Sequence, residues 1–249
     1  MVLLTTSKSL STLLFLVLVT MSFTASAHRY PESSAYQKQR KAMVATLVER
    51  YMGPYLAIKD KRVIAAMGNV PRHLFVPWEQ RGAAYRDSPV SIGYGQTISQ
   101  PYIVALMTQL ADITDDMTVL EVGTGSGYQA AILYELTRHV YTMEIISPLA
   151  KRTHQLFEQL GLNQIRYKHG DGYFGWPGDL KFDRILVTAA AAHIPVPLLA
   201  QLKPGGRMVI PVGPKWGYQQ LLLIKKDPQG KSTTESLLPV RFVPLTGGK

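Results

Sequence analysis

Hydrophobic residues in the first half of the chain recur every three or four positions in three stretches, which is typical of amphipathic helices. These predicted helices are Gln37–Tyr51, Lys59–Met67 and Pro101–Leu110. Between the second and the third, Pro71 to Tyr94 has no regular period and is rich in proline, glycine and aromatic residues. The first half is therefore predicted to be helical, with one irregular segment.

From Met117 onward, short apolar strands alternate with helices, the pattern of a parallel sheet covered on both faces. The predicted strands are Thr118–Val122, Val140–Ile145, Ile165–His169, Arg184–Thr188 and Arg207–Val212, with helices at Tyr128–Leu136, Pro148–Leu160 and Pro197–Gln201. Pro204-Gly205-Gly206 is predicted to be a turn, and Gln219–Lys225 and Leu237–Phe242 are predicted to be antiparallel edge strands. The predicted fold class is α/β, a doubly wound Rossmann-like sheet with N-terminal helices and antiparallel C-terminal edge strands.

A glycine-rich turn joins the first strand of this sheet to the next helix. Its sequence, Gly123-Thr124-Gly125-Ser126-Gly127, has glycine at every second position. A strand, a glycine turn and a helix N-terminus form the cradle in which α/β sheets hold nucleotide-like cofactors, although such turns also close junctions that bind nothing. The dinucleotide fingerprint places its third glycine one position later, so this spacing favours a ligand without a pyrophosphate. S-adenosylmethionine is the leading candidate.

Three polar residues at the ends of the following strands support a cofactor site. Glu144 ends the second strand, where such folds place an acid that accepts hydrogen bonds from ribose hydroxyls. Asp171 follows the third strand between two glycines and can accept from an adenine amino group, and Thr188 ends the fourth strand. Each alone has a structural alternative: a solvated cap, a Gly-Asp-Gly turn or an ordinary strand end. Because carboxyl ends of parallel strands share one edge, we expect these residues to meet the glycine loop.

The segment from Gly93 to Ser99 is the second unusual stretch. Its two glycines permit tight turns, and the hydroxyls of Thr97 and Ser99 precede a predicted helix N-terminus. Such an arrangement is suited to binding a carboxylate. The alternative, which the pattern alone favours, is that the hydroxyls only cap the helix.

Composition and charge exclude several function classes. The chain has 249 residues, 46% hydrophobic and 18% charged, which suits one large α/β domain with a sizeable core. Its net charge of +10 favours anionic partners, but the positive residues are scattered, which indicates a solvated basic surface rather than a nucleic-acid patch. The lack of cysteine excludes disulfides and cysteine nucleophiles. The histidines lack metal-ligand spacing and the loop serine is displaced from a nucleophile elbow, so no metal site is predicted and a hydrolase is disfavoured.

The N-terminus has the three parts of a secretory signal. Lys8 precedes the apolar stretch Leu13 to Val19, and Ala25-Ser26-Ala27 is a small-residue cleavage site. The apolar stretch is shorter than the roughly 20 residues of a membrane span. We therefore expect an exported or periplasmic mature protein with no integral span; the alternatives are an uncleaved anchor or a mis-assigned start of a cytoplasmic protein. The expected divisions are a signal at 1–27, a polar linker at 28–35, a helical substrate-binding segment at 36–116 and an S-adenosylmethionine-binding core at 117–249.

At these residues the chain resembles the protein-L-isoaspartate(D-aspartate) O-methyltransferase family, over about Val63 to Thr246. The most specific motif is Ile92-Gly93-Tyr94-Gly95-Gln96-Thr97-Ile98-Ser99-Gln100-Pro101. The supporting motifs are Val70–Val76, Leu120–Tyr128, His169–Gly172, Val187–Ala190 and Val240–Thr246. General methyltransferases share only the glycine loop, so the whole set is more specific than the loop.

The resemblance implies a class I methyltransferase sheet and a repair enzyme. Such an enzyme transfers a methyl group from S-adenosylmethionine to the free carboxylate of L-isoaspartyl or D-aspartyl residues in damaged proteins, and the ester closes to a succinimide whose hydrolysis returns some aspartate. It implies that Ser99 is the catalytic residue and binds substrate together with Thr97 and Thr188. The implied cofactor-binding residues are Ile98, Gly123, Gly125, Glu144, Asp171, Gly172 and Thr246. The expected partners are damaged proteins and peptides, not nucleic acid, and the protein is expected to be a monomer.

Two other functions fit the same residues. The first is a methyltransferase for another small carboxylate molecule, which would make the Gly93–Ser99 segment mere capping. The second is a non-catalytic exported binding module, since the family's usual bacterial members are cytoplasmic and S-adenosylmethionine is not expected to be plentiful outside the cell. The cofactor-facing residues Gly123, Gly125, Glu144 and Asp171 are all present, which favours an enzyme.

Overall fold

The computed structural model describes residues 32–50 and 56–248. The predicted signal segment and Tyr51, the end of the first predicted helix, lie outside these ranges. Within them, no helix has the length and apolar character needed to cross a membrane. The same ranges contain no group of three or more side chains suited to holding a metal ion.

Helices and a small hairpin precede the main sheet. In chain order they are α1 (Ser34–Arg50), α2 (Lys61–Asn69), two 3₁₀ segments (Arg72–Phe75 and Trp78–Ala83), β1 (Val90–Gly93), β2 (Gln96–Ile98) and α3 (Pro101–Ala111). Helix α1 begins at Ser34, inside the predicted linker 28–35. Glu32, two residues before it, is ion-paired with Arg40 and has a side chain that is only 2% exposed, so the end of the predicted linker is part of the packed fold. The segment from Pro71 to Tyr94, which was predicted to be irregular, contains the two 3₁₀ segments and β1.

The main sheet has seven strands in the order β5-β4-β3-β6-β7-β8-β9. They are β3 (Thr118–Val122), β4 (His139–Glu144), β5 (Arg166–His169), β6 (Phe182–Val187), β7 (Leu202–Val212), β8 (Gln219–Lys226) and β9 (Ser232–Val240), with α4 (Tyr128–Leu136), α5 (Ser147–Gln159) and α6 (Val196–Gln201) between them. Strands β3 to β7 pair in parallel, and β8 and β9 are antiparallel. The predicted fold class is confirmed.

Both faces of the sheet are buried, as the doubly wound pattern predicts. Successive residues of β3 divide between two hydrophobic clusters: Val119 packs with residues of α2, α3 and α4, and Leu120 packs with Leu198 of α6. Because side chains alternate along a strand, Glu121 points to the same face as Val119.

The predicted turn at Pro204-Gly205-Gly206 is wrong, because these residues lie inside β7. Phe182 pairs with Leu202 and Arg184 pairs with Arg207, so the intervening residues of β7 bulge out of register with β6. Proline cannot donate to a ladder and Gly205 has a φ of 76°, which explains the bulge. Buried Leu202 nevertheless pairs with β6, and the strand therefore begins earlier than the turn residues suggested.

Strand β9 begins five residues earlier than predicted, at Ser232 instead of Leu237, and it ends at Val240. Most of its early side chains are exposed and polar, so no apolar alternation marks them. Its ladder with β8, from Lys226 paired with Ser232 to Gln219 paired with Val240, defines the strand instead.

Candidate active site

Two cavities meet at the carboxyl edge of the parallel strands, near the crevice between β3 and β6. The first, which we call the loop cavity, has Gly123, Gly125, Glu144, Gly172, Thr188 and Thr246 among its lining residues. The second, which we call the serine groove, has Thr97, Ser99, Tyr102, Thr188, Tyr218 and Arg241 among its lining residues. Thr97, Thr188 and Val243 line both, so the two cavities meet at these residues.

The glycine loop crosses the end of β3 with backbone conformations that side chains rarely adopt. Gly123, Gly125 and Gly127 have φ values of 102°, 51° and 84°. A Cβ on Gly123 would lie 2.6 Å from Thr188 Oγ1, and one on Gly127 would lie 2.6 Å from the Phe157 ring. Close packing, in addition to backbone conformation, therefore requires glycine at these two positions.

Glu144 connects β4 to the glycine loop. Its Oε2 accepts a hydrogen bond from the Gly125 amide at 2.8 Å, and its Oε1 accepts one from the Ile146 amide at 2.8 Å. The residue is only 5% exposed but lines the loop cavity. A carboxylate has about four acceptor sites, so it retains capacity for ribose hydroxyls.

Asp171 differs from the other predicted cofactor residues because its carboxylate is covered by the C-terminal tail. Oδ1 accepts from the Tyr173 amide at 2.9 Å, and Oδ2 accepts from the Gly248 amide at 2.8 Å. Gly247 has a φ of 139°, and a side chain there would clash with the Asp171 carboxylate. The described residues that line the loop cavity include Gly172 but not Asp171. Its remaining acceptor sites are the ones a cofactor could use.

Thr188 fixes the loop as well as lining both cavities. Its Oγ1 donates to the carbonyl oxygen of Gly123 at 2.6 Å, and its amide donates to Val122 at 2.9 Å. The end of β6 is thereby joined to the end of β3, so Thr188 has a structural contact that the sequence pattern did not suggest.

Residues at the end of the hairpin alternate in orientation, so that Thr97 and Ser99 line the serine groove whereas Ile98 does not. Thr97 is exposed and pairs with Ser91, whereas the Ile98 side chain lies 3% exposed in the core and lines neither cavity among the described residues. The N-cap of α3 is Gln100, which makes no side-chain capping bond. The expectation that the hydroxyls of Thr97 and Ser99 only cap this helix is therefore wrong.

A buried polar network under the loop was missed by the sequence reasoning. Glu121 is 1% exposed, and burial raises its pKa from 4.5 to about 8. Its Oε2 accepts from Thr142 Oγ1, which is also hydrogen-bonded to Thr124 Oγ1 at 2.6 Å. Its Oε1 is buried without a hydrogen-bond partner among the described residues. The sequence does contain a signal for this network, because Glu121 is an acidic residue within the apolar strand Val119-Leu120-Glu121-Val122.

Comparison with known proteins identifies the family. The sequence profile of the Protein-L-isoaspartate(D-aspartate) O-methyltransferase family matches residues 39–249. The chain belongs to this family. Protein-L-isoaspartate O-methyltransferase 2 of Syntrophobacter fumaroxidans is 51% identical over 242 residues, covering 96% of this chain and 98% of that relative. A relative of the same name from Polaromonas sp. is 57% identical over 188 residues, covering 76% of this chain and 89% of its own length.

Solved structures agree with this family membership. A protein-L-isoaspartate O-methyltransferase superposes with a TM-score of 0.73 at 26% identity, covering 84% of this chain and 66% of that one. A Plasmodium falciparum protein in complex with S-adenosyl-L-homocysteine superposes with a TM-score of 0.70 at 24% identity, covering 83% and 98%, and shows the same fold. The resemblance inferred from the motifs is therefore confirmed, and the roles of individual residues stay predictions.

Proposed function

We propose that this protein is an S-adenosylmethionine-dependent protein-L-isoaspartate O-methyltransferase that acts on L-isoaspartyl or D-aspartyl residues of damaged proteins. Membership of the family supports this activity. The observation that carries it is the junction of the serine groove with the loop cavity at Thr97, Thr188 and Val243. A substrate carboxylate beside Ser99 would lie in the serine groove, next to the loop cavity.

The residues that line the loop cavity are of the kinds that would hold the methyl donor. Gly123, Gly125 and Gly172 leave it without side chains at three positions, and a Cβ on Gly172 would already be within 2.5 Å of Val122 Cγ1. We assign these backbones and Thr246 to the donor, Glu144 to its ribose and Asp171 to its adenine. The bound donor supplies an electrophilic methyl group on a sulfonium.

The side chains of this protein then have to orient the substrate carboxylate. A carboxylate is ionised at neutral pH, so no strong general base is required. The remaining work is alignment of the attacking oxygen and removal of water from it. We assign hydrogen-bond donation to the Ser99 hydroxyl, with Thr97 and Thr188 completing the wall of the groove.

Replacement of Ser99 tests this assignment. We expect Ser99→Ala to lower kcat with an isoaspartyl peptide by about 100-fold, the typical effect of removing one oriented donor. Its affinity for S-adenosylhomocysteine, measured by calorimetry, should stay unchanged because the donor residues are intact. Ser91→Ala on the paired strand β1 is the matched control and should retain full activity. Near-normal turnover by Ser99→Ala would remove the assigned role.

Asp171→Ala should instead weaken donor binding. The carboxylate is expected to hold the adenine amino group, so calorimetry should show a higher Kd for S-adenosylhomocysteine, with Ser91→Ala again unchanged. An unaltered Kd would mean that Asp171 serves only the C-terminal tail, through its bond to Gly248.

We propose an exported location, supported by Lys8, the apolar stretch and Ala25-Ser26-Ala27. Cleavage after Ala27 would leave the buried Glu32–Arg40 ion pair intact, since both residues lie downstream. Sequencing the N-terminus of the protein from periplasmic and cytoplasmic fractions tests this proposal. A chain that still begins at Met1 in the cytoplasm would contradict it and match the family's usual location.

We also propose a monomer whose partners are damaged polypeptides rather than nucleic acid, in accord with the scattered basic residues. The substrate-binding segment 36–116 and the core 117–249 are proposed as functional divisions of one fold. The groove takes Ser99 from the first and Tyr218 and Arg241 from the second, so the substrate would contact both.

A further inference from the structure

Arg72 is a fully buried cation that contacts the backbone of Ser99. It begins the first 3₁₀ segment and is 0% exposed. Its Nη2 donates to the carbonyl oxygen of Ser99 at 2.7 Å, and its Nε donates to that of Ala84 at 2.7 Å. Its guanidinium carbon lies 4.9 Å from the centroid of the Tyr128 ring. One side chain thus connects the serine to the first residue of the helix that follows the glycine loop.

Asp87 holds the residues that come directly after Ser99. Its Oδ2 accepts from Gln100 Nε2 at 3.0 Å, and its Oδ1 accepts from the Tyr102 amide at 3.0 Å. Arg72 therefore fixes the beginning of this short segment and Asp87 fixes its end. Both residues come from the stretch between α2 and β1 that lacked any regular period in the sequence.

The environment of Arg72 is costly for a charged group. Desolvation lowers its pKa to about 10, and the nearby negative charge of Asp87 offsets only part of this cost. Its Nη1 is buried without a hydrogen-bond partner among the described residues. An apolar side chain could fill the same space without this desolvation. The use of arginine here is explained by its fork of donors, which reaches two carbonyl oxygens at once.

We propose that Arg72 and Asp87 are positioning residues for methyl transfer. By fixing the backbone from Ser99 to Tyr102, they hold the Ser99 hydroxyl in the orientation that aligns the substrate carboxylate. Through the Tyr128 ring, Arg72 also sets this backbone relative to the glycine loop. The inference rests on the proposed function, since it requires that Ser99 orient the substrate. A displacement of about 1 Å in such a site can reduce the rate by about 100-fold.

Arg72→Lys tests the proposal, because lysine retains the charge but lacks the two-pronged fork. We expect kcat to fall by about 100-fold, with the Kd for S-adenosylhomocysteine, measured by calorimetry, almost unchanged. Arg184→Lys is the matched control. Arg184 is also buried, 6% exposed, and donates to the carbonyl oxygens of Ala111 and Asp112. It lies in β6, where it pairs with Val119 near the beginning of β3, at the end of the strands opposite to the candidate site. This control should lower thermal stability and leave kcat intact.

A double-mutant cycle separates positioning from a general loss of structure. In the Ser99→Ala background there is no hydroxyl to orient, so Arg72→Lys should cause no further loss of the residual methyl transfer. Independent, multiplying losses would overturn the proposal, as would an equal loss of kcat in Arg184→Lys.

If Arg72→Lys fails to fold, judged by loss of S-adenosylhomocysteine binding, Asp87→Asn replaces it in the same cycle. This variant keeps the side-chain shape but loses one acceptor and the negative charge that acts on Arg72, and it should behave as Arg72→Lys is expected to behave. An unchanged kcat in Asp87→Asn would overturn the proposal. A wild-type protein that fails to methylate isoaspartyl peptides would overturn the proposed function and this inference together, whereas an active wild type with multiplying losses overturns this inference alone.

Discussion

Glu121→Gln should change how the stability of the protein depends on pH. Burial raises the pKa of Glu121 from 4.5 to about 8, with the negative charge of Glu144 adding to the effect. The folded state therefore holds this proton more tightly than the unfolded state does. Between these two pKa values, the free energy of unfolding should fall as pH rises, by up to about 1.4 kcal/mol per pH unit. Below pH 4.5 the contribution is fully retained, and above about pH 8 the loss is complete.

Urea denaturation of the wild type and Glu121→Gln at pH 5, 6 and 7 measures this effect. Glutamine cannot ionise, so the variant should gain about 2.5 kcal/mol relative to the wild type between pH 5 and pH 7. Glu235→Gln, on the exposed strand β9, is the control and should show no such trend. A difference between Glu121→Gln and the wild type that stays constant with pH would refute the reasoning, because it would mean that Glu121 is ionised in the folded protein.

Two further predictions concern stability and use thermal or urea unfolding. Gly127→Ala forces a Cβ to 2.6 Å from a buried aromatic ring at a φ of 84° and should cost about 3 kcal/mol, whereas Gly161→Ala, with a φ of 66° and open space around it, should cost about 1 kcal/mol. Equal costs would show that backbone strain alone requires glycine in the loop. Glu32→Ala leaves Arg40 without its buried partner and should cost about 3 kcal/mol, whereas Glu235→Ala breaks a half-exposed pair and should cost less than about 1 kcal/mol. A negligible cost for Glu32→Ala would mean that the residues before α1 do not contribute to the fold.

The alternation of strands and helices after residue 117 was predictable because buried parallel strands are short, apolar and separated by helices. The ends of β3 and α4 agree with the prediction to the residue. The bounds of strands with little apolar content were predicted less accurately. Strand β9 is defined by its pairing with β8, and the beginning of β7 is hidden by a proline and two glycines.

The meeting of Gly123, Glu144 and Thr188 at one edge of the sheet could be predicted from one geometric rule, since all three lie at the ends of parallel strands. The contacts of Asp171 with Gly248 could not, because they join residues that are distant in the sequence. The same holds for Arg72 and Ser99, whose contact requires the hairpin β1–β2 to fold back over the first 3₁₀ segment. Local patterns predict elements, whereas hydrogen bonds between distant segments depend on the tertiary fold.

Methyl transfer to paired peptides tests the central claim most directly. The purified full-length protein is incubated with S-adenosylmethionine carrying a labelled methyl group and with either an isoaspartyl peptide or the same peptide with normal aspartate. We expect base-labile label in the isoaspartyl peptide alone and its loss in Ser99→Ala. Equal labelling of both peptides would contradict the account. So would the absence of labelling in both peptides when the protein still binds S-adenosylhomocysteine.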